Sequence, residues 1–77
     1  MEMNTILAQW INNLYRYGAI GVDQRDEFKH RLNGICEDFA TVAADMDRYI
    51  RYMPARYQEK WTSLVTKEFP RGLEHRS

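Results

Sequence analysis

From Phe28 onward the apolar residues Phe28, Leu32, Ile35, Phe39, Val42, Met46, Tyr49 and Met53 follow one another in alternating steps of four and three. Such steps place all of those side chains on one face of an α-helix. Cys36, Ala43 and Ile50 fall on one flank of that face. The stripe is thereby widened to three apolar positions in seven, the pattern of a helix in a packed bundle rather than of a narrow coiled-coil seam. A chain with such a stripe must find a cover for it. Asp23 stands before the stripe as a helix cap, and Asp26 and Glu27 fill a first turn where the helix dipole favours negative charge. Asn33-Gly34 is the one interruption, since the dipeptide is a turn signal and a helical glycine costs about 1 kcal/mol relative to alanine. The repeat nevertheless passes through it in phase. The pattern therefore predicts one long helix over 23–53, kinked near Gly34, in preference to two shorter ones.

Two shorter helices flank it. Ile6, Leu7, Trp10, Ile11, Leu14, Tyr15 and Tyr17 recur at helical spacing, which predicts a helix over 5–17 with its cap at Asn4 or Thr5 and its stop at Gly18. From Met3 to Tyr15 that helix has no charged residue, and its polar side shows Gln9, Asn12 and Asn13, amides suited to a surface covered by another chain. Pro54 ends the long helix and opens a third, over 54–69, whose inward face is Tyr57, Trp61, Leu64, Val65 and Phe69. Pro70 closes it, and residues 70–77 read as a flexible tail. The fold class expected is all-α: short, long and short helices in a single helical domain.

Each outer helix is about half as long as the central one, so each covers one half of the seam and leaves apolar side chains on the open side. A chain of 77 residues has little core to spare; at this size a core seldom supplies more than roughly 3–5 kcal/mol. The single Cys36 rules out an intrachain disulfide, and neither His30 nor His75 has a paired ligand nearby. Pairing through the long helix is the remaining source of cover, and a homodimer is the expected assembly.

The charges divide at Asp47. Up to that residue there are four basic and eight acidic residues, a balance of −4; after it there are seven basic and three acidic, a balance of +4. The N-terminal segment has no basic residue before Arg16 and does not read as a signal peptide, and no run approaches the ~18 apolar residues of a membrane span. A cytoplasmic protein, without membrane contact and with its one cysteine in a reducing compartment, is the expectation.

Chemistry-bearing constellations fail one by one. Glu27-Phe28-Lys29-His30 has the Glu-x-x-His spacing of di-iron bundles, but no second copy exists and both ligands lie off the Phe28 seam. Asp45 and Asp47 lack the glycine and the later glutamate of a calcium loop and read as a solvated helix face, with Asp47 paired to Arg51 one turn on. Cys36 reads as a buried small hydrophobe, and Ser63 and Ser77 stand in no nucleophile context. No enzyme, metal or cofactor is expected.

What remains is the segment Arg48–Trp61, where Tyr49, Met53, Tyr57 and Trp61 are assigned to packing around the Pro54 corner. Tyr52 is left over, beside Arg48, Arg51, Arg56 and Lys60. Aromatics and arginines dominate interface hot spots, and the partner-binding candidates are Trp10, Asn12, Asn13, Arg48, Arg51, Tyr52, Arg56 and Lys60. The reading is a small adaptor or inhibitor that occupies a surface of a larger protein, in the manner of the small accessory factors of bacteriophages and mobile elements. That analogy is one of type and rests on no motif. The alternative is a nucleic-acid-binding module built on Arg48–Lys67, against which the neutral total charge argues.

Overall fold

The computed structural model describes residues 2–34 and 38–73. They form four helices, α1 (Met3–Arg16), α2 (Val22–Asn33), α3 (Phe39–Ile50) and α4 (Ala55–Glu68), with no strand among the described residues. The all-α class expected from the sequence is correct. The expected long helix over 23–53 is not: it is two helices, and the fold has four rather than three. A straight helix of that length would measure roughly 46 Å, whereas the longest dimension of the fold is 28 Å.

Local chemistry explains the break. Gly34 leaves the helix with extended backbone, φ −75° and ψ 169°, and its N–H donates to the Arg31 carbonyl at 3.2 Å. Asp38 then starts α3 as its cap, the carboxylate accepting from the Thr41 N–H at 2.9 Å. Such a cap contributes about 1 kcal/mol, and stopping at Gly34 avoids a comparable cost of carrying glycine inside a helix. Folding back also brings both halves of the seam onto α1. Phe28, Leu32, Val42 and Met46 are buried together with Leu7, Ile11 and Leu14 of α1, and Ala43 and Ile50 from the seam's flank join them. Contrary to expectation, the first helix packs against both α2 and α3 rather than covering one half of the seam. Among the described seam residues Phe39 is exposed, at 38%, and Tyr49 is half-buried. Ile35, Cys36 and His75, together with the end of the expected tail (74–77), lie outside the described residues.

Helix ends differ from expectation in smaller ways. The α1 cap is Glu2, with no side-chain bond; Asn4 instead donates its amide to the Leu32 carbonyl at 3.2 Å, which ties α1 to the end of α2. Gly18 does close α1 as expected, in the left-handed region at φ +78°, with the Ala19 N–H reaching back to the Leu14 carbonyl at 2.9 Å. Gly21, not Asp23, caps α2, and Asp23 sits in its first turn. Pro54 caps α4 from outside, its carbonyl accepting from Tyr57 and Gln58.

The Pro54 corner is fixed by a side chain. The Gln58 amide donates to the carbonyls of Met53 at 2.9 Å and Arg51 at 3.2 Å, filling acceptors that the end of α3 leaves open. α4 then lies against α3 through Trp61, whose ring is 1% exposed and whose indole N–H donates to the Asp47 carboxylate at 2.7 Å. Asp47 is thus an internal acceptor; the expected Asp47–Arg51 pair is absent. Asp45 is likewise engaged, its carboxylate 2.8 Å from the Arg31 guanidinium across the α2–α3 pair. Leu64, Val65 and Phe69 are half-buried against the core, as is Leu73 beyond the helix.

Candidate functional site

Six cations lie between the end of α3 and the end of the described chain: Arg48, Arg51, Arg56, Lys60, Lys67 and Arg71. All are exposed, and none forms an ion pair with a described residue. The acidic half of the chain behaves differently, because Asp26 pairs with Arg25, Asp45 with Arg31, Asp47 binds Trp61 and Asp38 caps α3. The charge division visible in the sequence is therefore also a division of partners among the described residues: four of the acids are engaged within the fold, and these six cations face outward. Glu59 and Glu68 are the only acids interspersed among the described cations.

Within this region the geometry centres on Tyr57, which stands at the start of α4 one turn before Trp61. Its ring meets Trp10 of α1 edge-on at 6.1 Å between centroids and tilts against Tyr17 at 5.1 Å. Trp10 in turn meets Trp61 edge-on at 5.2 Å. The Arg56 guanidinium lies 5.0 Å from the Tyr57 ring centre and the Lys60 ammonium 5.7 Å, both within cation–π range. The Tyr17 hydroxyl donates to the Tyr57 hydroxyl at 3.3 Å. This hydrogen bond pulls the Tyr57 phenol below its ordinary pKa; partial burial opposes it, and the Arg56 and Lys60 charges act in the same direction as the bond.

The structure distributes the candidate residues over three places. Trp10, Arg56 and Lys60 meet around Tyr57. Arg51 and Tyr52 occupy the corner, where Tyr52 is the most exposed large apolar side chain described, at 62%. Arg48 faces elsewhere, lining a polar cleft between α2 and α3 with Gln24, Glu27, Arg31, Asp45 and Tyr49 over Phe28. Asn12 is exposed and Asn13 half-buried on α1, and no contact ties either to the corner. Trp10 is half-buried among rings rather than presented to solvent.

Sequence reading missed the site role of Tyr17 and Tyr57. One signal was available: Trp10 and Tyr17 are seven residues apart, as are Tyr57 and Leu64, so each pair shares one helix face. Among the described residues no three His, Cys, Asp or Glu side chains gather as a metal set, and no helix is long and apolar enough to cross a membrane. Comparison with protein-family models, curated proteins and solved structures finds no match to this chain.

Proposed function

We propose that this protein is a non-enzymatic binding factor, an adaptor or inhibitor that works by occupying a surface of a larger protein. The observation that carries the reading is the set of exposed cations from Arg48 to Arg71, without an ion pair among the described residues, next to Tyr52 at 62% exposure. Unpaired arginines beside an aromatic are what an interface uses as anchors. Arg51, Tyr52, Arg56 and Lys60 are the contact residues in this reading, and it is compatible with the steric mode of action of small phage and mobile-element factors. A cytoplasmic location belongs to the same proposal.

The test is affinity capture from host extract, run with and without nuclease, using the wild-type chain and the Arg51→Glu/Arg56→Glu variant. A partner held by the wild type through nuclease treatment and lost by the variant supports the proposal. Capture that disappears with nuclease supports the alternative, a nucleic-acid module, for which exposed Tyr52 beside Arg51 is the favourable observation. The homodimer expected from an uncovered seam has a narrower warrant, because most of the described seam residues are buried within one chain; the exposed Phe39 and the charge division still support it. Sedimentation at micromolar concentration decides: twice the chain mass keeps the dimer and a single mass removes it.

A further inference from the structure

α1 and α4 are neighbours without backbone contact. Packed helices usually run about 8–10 Å apart, yet no Cα of α1 comes within 8 Å of a Cα of α4. Rings span the gap instead, Trp10 and Tyr17 from one side, Tyr57 and Trp61 from the other. Three of these four rings are only partly covered: Trp61 is buried, Trp10 and Tyr57 are half-buried and Tyr17 is 38% exposed. Leu64, half-buried, continues the Tyr57 face one step down α4. Together the partly covered rings and Leu64 make an apolar strip along the α1–α4 edge, a trough in the sense that rings rather than backbone span the space between the two helices. One lip carries Arg56, Lys60 and Lys67, spaced four and seven residues apart on a single stripe of α4 beside the Tyr57–Leu64 face. The other lip is α1, which has no charged residue between Met3 and Tyr15.

We infer that this trough binds an acidic, amphipathic segment of a protein, with its apolar side chains along Trp10, Tyr17, Tyr57 and Leu64 and its carboxylates on Arg56, Lys60 and Lys67. The inference rests on the protein-binding reading above and names its partner class. Charge complementarity selects the occupant, since the lip offers three exposed cations with no ion pair among the described residues. The rings select protein over single-stranded nucleic acid. Base stacking needs open aromatic faces, whereas Tyr57 already has two cations over its ring and packs against Trp10 and Tyr17, and Trp10 packs against Tyr57 and Trp61. Ring edges of this kind suit leucine or phenylalanine side chains.

The probe is a labelled synthetic peptide with leucines on one helical face and glutamates on the other, measured by anisotropy against a scrambled peptide and a single-stranded thymidine oligonucleotide. The wild-type chain is expected to bind the amphipathic peptide at least tenfold more tightly than either control. Arg56→Glu/Lys60→Glu should weaken binding tenfold or more, and Leu64→Ser severalfold. Arg25→Glu/Lys29→Glu makes the same charge change on α2, away from the trough, and should leave binding within twofold. Circular dichroism and melting of each variant check the fold. Equal loss in both double variants, or oligonucleotide binding as tight as peptide binding, overturns the inference. A native partner lost in Arg51→Glu but kept in Arg56→Glu/Lys60→Glu also overturns it, while leaving the protein-binding reading intact at the corner; no nuclease-resistant partner at all removes that reading instead.

Discussion

The α1–α3 unit and α4 are built on different principles. Eleven of the twelve described core residues precede α4, which contributes Trp61 alone, so the first unit owes its cohesion to a continuous aliphatic interior and α4 to one ring. Charges follow the same division. In the first unit, Arg25 and Arg31 meet carboxylates, whereas the cations of α4 meet none among the described residues. A helix with one fully buried ring, a half-buried apolar face and two carbonyl bonds from Gln58 should open at lower free energy than the core it leans on. Binding at its outer face, as proposed above, would offset part of the cost of holding α4 in place.

The sharpest way to separate the two regions is to damage each. Val42→Asp places an unpaired carboxylate in the shared interior and should abolish cooperative unfolding altogether, checked by the loss of a thermal transition. Trp61→Ala should cost about 3–5 kcal/mol and act on α4 first. Amide exchange should show α4 deprotected while the amides of α1 remain slow; uniform deprotection would mean the two regions are one cooperative unit. Asp47→Ala removes only the indole's acceptor and should cost about 1–3 kcal/mol, again read in chemical denaturation. Arg51→Glu/Arg56→Glu should move the melting temperature little, since exposed charges contribute about 0–1 kcal/mol each.

The smallest effect is a titration. Folding lowers the pKa of Tyr57 from its ordinary 10.0, chiefly through the Tyr17 hydroxyl. A group depressed in this way adds stability that is fully present above pH 10.0 and lost as pH falls through the folded pKa. Tyr17→Phe should raise the midpoint at which the Tyr57 ring signals shift in an NMR titration, with little change in stability at pH 7. An unchanged midpoint would show that α1 and α4 do not meet through these hydroxyls.

Helix existence and most inward positions were legible in the sequence, because periodicity reports which face is apolar. Trp61, Phe28, Val42 and Met46 are buried where the spacing placed them. Connectivity was harder to read. The heptad phase across Asn33-Gly34 outweighed the glycine in that reading, and Asp38, which lay inside the expected long helix, went unread as the cap that starts α3. Asp45 and Asp47 were missed for a related reason: an acid on a helix looks solvated until its partner, Arg31 or Trp61, is known from the tertiary fold. The aromatic trough was invisible because it depends on the distance between two helices separated by most of the chain.

The repeat that keeps its phase across the α2–α3 break means that one pattern of side chains fits two chain paths. If the segment at Gly34 straightens, the seam residues of α3 can meet the α1 and α2 of a second molecule through the same contacts they make at home, an exchange of halves. What separates the closed form from the exchanged one is then chain concentration and the local free energy of the bend. Gly34 has ordinary negative φ, and a Cβ there would lie 3.4 Å from the His30 carbonyl oxygen, so its shape does not demand glycine. The residue acts instead as a bias on topology. Gly34→Ala, by making the straight path about 1 kcal/mol easier, should shift a concentration series on gel filtration toward exchanged pairs; a profile identical to wild type would show that the Asp38 cap alone holds the bend.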